Sequence, residues 1–135
     1  MTPEELELTE RFENLQVAPG TFHHRDHLAA AYAMLRKYPF IEATSRYAQT
    51  IRTMAERAGV YDKFHTTITF AFMALIAERM ESSAYDSFDD FIEHHPDLFS
   101  PGLLQRFYSP ERLASDVARK VFVMPDIRVE RSSSG

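Results

Sequence analysis

Between residues 68 and 77 the chain reads Ile-Thr-Phe-Ala-Phe-Met-Ala-Leu-Ile-Ala, without a single charge. A strand typically spans only five or six residues, and no other segment alternates apolar and polar residues to serve as its partner. The run therefore reads as part of a helix from about 62 to 81. A helix that is apolar all round is a buried one, so it is expected to be the central helix of the fold.

The punctuation elsewhere is also helical. Thr2-Pro3-Glu4-Glu5 places an N-cap hydroxyl, a proline at the first helical position and acids in the first turn, which predicts a first helix over about 3 to 15. Val17-Ala18-Pro19-Gly20 breaks it. A second helix is predicted from about His24 to Lys37, with Leu28, Ala31, Tyr32 and Leu35 on one face, and a third over about 40 to 58, stopped by Gly59. Ser87 heads a short acidic helix to about His95. Ser100-Pro101 heads another, and Ser109-Pro110-Glu111 a last one to about Phe122, stopped by Pro125. The expected fold is all-α: one domain over 1–126, a bundle of five to seven helices with an up-and-down core and short C-terminal helices. A polar, flexible tail follows over 127–135, and its final residues look added rather than native.

Composition narrows the function. With no cysteine among 135 residues, thiolate catalysis, cysteine-type zinc sites and iron–sulfur clusters are excluded, and nothing points to an oxidising compartment. A cytoplasmic location is the expectation. The 15 Lys+Arg against 20 Asp+Glu leave a net charge of -5, which disfavours nucleic acid and anionic membrane as partners. No apolar run approaches the roughly 20 residues of a membrane-spanning helix. Gly-rich phosphate loops, a GxSxG elbow and HExxH are all missing.

The histidines carry the strongest chemical signal. Five of the six fall in two clusters, Phe22-His23-His24-Arg25-Asp26-His27 and His94-His95, and the sixth is His65. If successive helices pack antiparallel, the starts of the second and fourth helices share one end of the bundle, and the end of the first helix brings Glu13 there too. His23 and His27, at i and i+4, can present two imidazoles to one metal, and His65 can add a third. Such a nitrogen-rich set suits a divalent transition metal, zinc or iron foremost. Were the second helix to begin at His24, the pair would loosen and His24 with His27 would replace it. With the His23, His27 and His65 set, the metal would polarise a substrate oxygen or activate water while His24 or Asp26 moves a proton or orients a ligand as the catalytic residues. The same histidines could work without metal as general acid and base, beside an aromatic wall that includes Phe22, Phe64 and Phe72.

Each residue also has a structural reading. Histidines at helix starts serve as caps, Asp26 as a first-turn dipole partner, and His94-His95 as C-terminal caps. Glu78 continues the apolar face of Ala71, Ala74 and Leu75, so it is expected to be partly buried and paired with Arg112 or Arg119.

The segments FHHRDHL at 22–28, FHTTITFAF at 64–72 and YSPERLASDVARKVFVMPD at 108–126 resemble a family of small, poorly characterised bacterial helical proteins. The resemblance spans the chain apart from its tail and implies the same all-helical fold, with no activity attached. The expected function is a small-molecule enzyme with a histidine-lined, metal-centred site at one end of the bundle, with room for a homodimer. The alternatives are a metal-free acid–base lyase, isomerase or cyclase, and a non-catalytic helical binding or partner-interaction module.

Overall fold

The computed structural model describes residues 1–17 and 22–127. Those residues are helical without strands: α1 (Pro3–Glu13), α2 (His24–Lys37), α3 (Phe40–Arg57), α4 (Thr66–Met80), α5 (Phe88–His94), α6 (Pro110–Leu113) and α7 (Asp116–Lys120). Single 3-10 turns lie at Tyr61–Lys63, Pro96–Phe99 and Leu103–Arg106. The Ala18-Pro19-Gly20 breaker and the tail beyond Ile127 lie outside the described residues.

Local chemistry sets the helix ends. Thr2 and Glu5 form a reciprocal capping box at α1, the Thr2 Oγ1 accepting from Glu5 N and Glu5 Oε2 from Thr2 N. α3 closes on Gly59, whose φ of +73° lies in the left-handed region; Val60 N then reaches back to Ala55 O, which satisfies a carbonyl at the helix end. The segment expected to begin a helix at Asp62 instead makes a 3-10 turn, and α4 starts at Thr66 under a His65 cap.

The central helix is α2, not α4. Ala31, Tyr32, Ala33 and Met34 have no exposed surface, and α2 packs against α1, α3, α4 and α5. The alanines let neighbours approach α2 closely, while Tyr32 and Met34 fill the space between them. Phe12 of α1 and Tyr47 of α3 stack at 5.4 Å beside this core, and Tyr32 meets Phe88 and Phe91 of α5. α4 buries only Thr67, Thr69, Met73 and Ile76; Ile68 and Phe70 stay 40% and 36% exposed. Lack of charge marks α4 as apolar. It does not place both of its sides in the core.

The last helix, expected unbroken to about Phe122, is two short ones. Ser115 interrupts it as a fresh N-cap, accepting from Ala118 N. Residues 121–127 then fold back over a second, small core of Tyr108, Ala118 and Val123. The return is pinned by Thr67 Oγ1, which donates to Val121 O at 2.7 Å and accepts from Val123 N at 3.1 Å, and by Tyr108 OH donating to Val123 O. Ser109 and Asp126 add a two-point contact through the Ser109 N–H and hydroxyl, which holds the Asp126 carboxyl below the usual carboxylate range. Ile127, assigned from sequence to the tail, still donates its N–H to Phe107 O.

Candidate functional site

The start of α2 distributes the first histidine cluster in three directions. His23 is the extended N-cap residue and is exposed, so the i,i+4 relation with His27 does not exist on a common helical face. Asp26 Oδ2 accepts the His23 N–H at 2.9 Å, a capping contact that gives the carboxylate a structural task. His27 turns inward against Phe22, with ring centroids 4.6 Å apart, and its Nδ1 lies 3.4 Å from the Tyr47 hydroxyl. Burial, reinforced by the His24 charge and only partly offset by Asp26, lowers the His27 pKa from 6.5 to about 4. Its half-buried position thus favours the uncharged imidazole at neutral pH.

His65 is occupied at both ring nitrogens. Nδ1 accepts the Ile68 N–H as the cap of α4, and Nε2 donates to Leu113 O at 2.6 Å. A carbonyl can only accept, so the tautomer is set by these two partners. Neither nitrogen is left for a metal. Among the described residues no three His, Asp or Glu side chains are grouped as a metal ion would require. The expected His23, His27 and His65 set for zinc or iron is therefore not assembled, and its donors do not fit that cofactor. Glu13, assigned to the same mouth, meets the other end of α2: it accepts from the Tyr38 hydroxyl and pairs with Lys37 and Arg46.

His24 is the expected catalytic residue that does reach a cavity. Its Nε2–H donates to Leu98 O at 3.1 Å, which leaves Nδ1 as the lone-pair nitrogen, without a partner among the described residues. The ring packs near Phe72 and Phe99. It lines a cavity of about 550 Å³ whose other walls come from α4 (Ile68, Phe72), α6 (Leu113) and the segment 99–105 (Phe99, Leu103 and Gln105 among them). Among the described residues His24 is the one titratable side chain lining it. The volume lies within the roughly 300–1,000 Å³ of small-molecule sites, and a mainly apolar lining with a few polar groups is their usual make-up.

The strap that roofs this cavity is anchored by residues that sequence reasoning missed. Arg79, in the last turn of α4, makes a two-pronged pair with Asp97 at 2.9 and 2.7 Å, and Arg106 adds a longer contact at 3.6 Å. These contacts hold the Asp97 carboxyl below its ordinary range. Arg79 also donates to His95 Nδ1, and His95 Nε2–H donates to the Tyr85 hydroxyl at 2.7 Å; burial and the Arg79 charge lower the His95 pKa. His95 thus ties α4 to α5 rather than capping a free helix end, whereas His94 Nδ1 does return to Asp90 O within α5. Glu78, expected to be buried and paired, is exposed, and its neighbour Arg79 takes the half-buried position. Arg112 donates instead to Met124 O. The signal that could have shown the strap is Pro96 and Pro101 flanking Leu98 and Phe99: two turn-forming prolines around apolar residues that need cover.

Arg25 completes the frame. It pairs with Asp89 at 2.7 Å and lies over the Phe88 and Phe99 rings, joining the start of α2 to α5 and to the strap.

No protein-family model, curated protein or solved structure matches the chain. The resemblance read from segments 22–28, 64–72 and 108–126 gains no support from them. No helix among the described residues is long and apolar enough to cross a membrane.

Proposed function

We propose that the protein binds a small, mainly apolar molecule bearing one hydroxyl or amino donor, in the cavity between α2, α4, α6 and the 96–106 strap. The observation that carries this reading is the lining: a space of about 550 Å³ walled by Ile68, Phe72, Phe99, Leu103 and Leu113, with one imidazole, His24, at its edge. Apolar walls supply affinity at about 25 cal/mol per Å² of surface removed from water. The His24 acceptor nitrogen, with the polar side chains of Ser100 and Gln105, supplies orientation. Since Leu98 O holds the Nε2–H, Nδ1 can accept from the ligand, and the donor requirement follows.

A second reading, metal-free acid–base catalysis, is favoured by the same contact. A general base works best when its other nitrogen is held by an acceptor, and the Leu98 carbonyl does this for His24. In this reading His24 Nδ1 takes the proton of a bound hydroxyl or of an activated carbon.

The test uses 4-methylphenol and toluene as probes, followed by amide shifts of the full chain. Saturable shifts at Ile68, Phe72, Gln105 and Leu113 are expected with both, and tighter binding of the phenol. His24→Phe should weaken the phenol about fivefold, the worth of one hydrogen bond near 1 kcal/mol, and leave toluene unchanged. If neither probe shifts these residues saturably, the reading fails.

A further inference from the structure

A second groove lies on the other flank of α4. One chamber, of about 260 Å³, is lined by Arg52 and Gln49 of α3, Phe64, Thr66 and Phe70 around the start of α4, and Lys120 of α7. No Asp or Glu among the described residues lines it. An adjoining chamber of about 300 Å³ shares Arg52, Phe64, Thr66 and Lys120 and adds Arg119, with Asp62 and Asp116 confined to this side. On a chain of net charge -5, two cations from two helices, Arg52 and Lys120, thus line both chambers, and a third, Arg119, lines the second. None of the three has an ion-pair partner within 4 Å among the described residues. Most other arginines of the helices do: Arg11, Arg25, Arg46, Arg79 and Arg106 are all paired.

Two further features favour an anion here. Thr66, which lines both chambers, begins a fifteen-residue helix, and the His65 cap goes to the Ile68 N–H, so the first turn of α4 adds its partial positive charge to that of Arg52 and Lys120. Phe70 is 36% exposed beside these cations, and Phe64 is half-buried. Aromatic rings next to unpaired guanidinium and ammonium groups suit a flat ligand that carries its charge at one end. The chamber's size matches a single ring with one anionic group, and the negative net charge opposes a polyanion.

We propose that this groove binds a small aromatic anion, one ring bearing a phosphate or carboxylate, with the charged group at Arg52, Lys120 and the first turn of α4 and the ring against Phe64 and Phe70. The site is independent of the His24 cavity, and its shifts fall on different residues.

The experiment titrates the labelled full chain at low salt with phenyl phosphate, benzoate, inorganic phosphate and 4-methylphenol. Phenyl phosphate or benzoate should move the amides of Arg52, Phe64, Thr66, Phe70 and Lys120 saturably in the millimolar range or below; which of the two binds tighter identifies the headgroup. Inorganic phosphate should bind at least about tenfold more weakly, since it lacks the ring. The double variant Arg52→Gln/Lys120→Gln, both exposed positions, should weaken the aromatic anion about tenfold or more with an unchanged circular dichroism spectrum and Tm. Equal binding of inorganic phosphate would overturn the aromatic half of the proposal. Equal shifts with neutral 4-methylphenol at these residues, or no saturable shift with either aromatic anion, would overturn the site.

Discussion

His27 makes folding stability depend on pH between its ordinary and its folded midpoint. In the unfolded chain its imidazole protonates near the ordinary 6.5, whereas in the folded protein burial lowers the midpoint to about 4. Between these values the unfolded state binds the extra proton, so stability is complete above about pH 6.5 and is lost as the pH falls toward 4. Summed over the whole window this is at most about 3 kcal/mol, and about 2 kcal/mol is already lost at pH 5; partial solvent access to the ring makes both upper bounds. The perturbation is His27→Gln, which keeps a polar side chain and removes the titration. Urea unfolding followed by circular dichroism at pH 7, 6 and 5 gives the stability difference between the two proteins. His95, also lowered, is present in both and cancels, while the depressed carboxyls of Asp97 and Asp126 act only below the carboxylate range. The variant should therefore gain on the wild type by about 2 kcal/mol from pH 7 to pH 5, at unchanged m-value. Stability curves that run parallel over this range, or an imidazole signal of residue 27 with its midpoint near 6.5, would refute the burial argument.

Three other perturbations probe the framework. Thr67→Val removes a fully buried hydroxyl that serves Val121 O and Val123 N; the loss should be about 2–3 kcal/mol, with faster amide exchange at Val123. Arg79→Met leaves Asp97 without its two-pronged partner at the edge of the strap. It should cost about 1–2 kcal/mol in urea unfolding and weaken 4-methylphenol, while Glu78→Gln, one position away and exposed, changes neither measurably. His65→Ala should lower stability by about 1–2 kcal/mol through the lost cap of α4, and a chelator should leave the wild-type Tm unchanged by calorimetry, because both ring nitrogens already have protein partners.

The parts of the fold legible in the sequence are those written by local chemistry. α2 begins and ends where the expected His24 and Lys37 placed it, and α3 stops at the glycine whose left-handed φ it requires. Long-range placement was not legible. An uncharged run cannot tell a core face from a cavity face, and Ile68 and Phe70 show the difference: α4 gives one side to the core and its flanks to two cavities. A shift of about 100° per residue separates Glu78 from Arg79 on the helix, enough to exchange an exposed and a half-buried side chain. Of the candidate residues, His24 reached a cavity because it stands at the first position of α2. His27, three residues on, points along another direction into the core.

The break in the last helix links the two largest departures from expectation. In an unbroken helix from Pro110 the Leu113 carbonyl would accept from Val117 N, and the His65 ring would have no acceptor there. Ser115 ends that ladder by capping α7, so the Leu113 carbonyl is left over and His65 Nε2 satisfies it. The Leu113 side chain is also a wall of the His24 cavity. At Leu113 the carbonyl thus takes up one nitrogen of His65, the expected metal ligand, and the side chain lines the cavity proposed as the binding site. It follows that Ser115→Ala, by weakening the cap that holds the break, should disturb His65 and the probe-binding cavity together, although residue 115 lines neither.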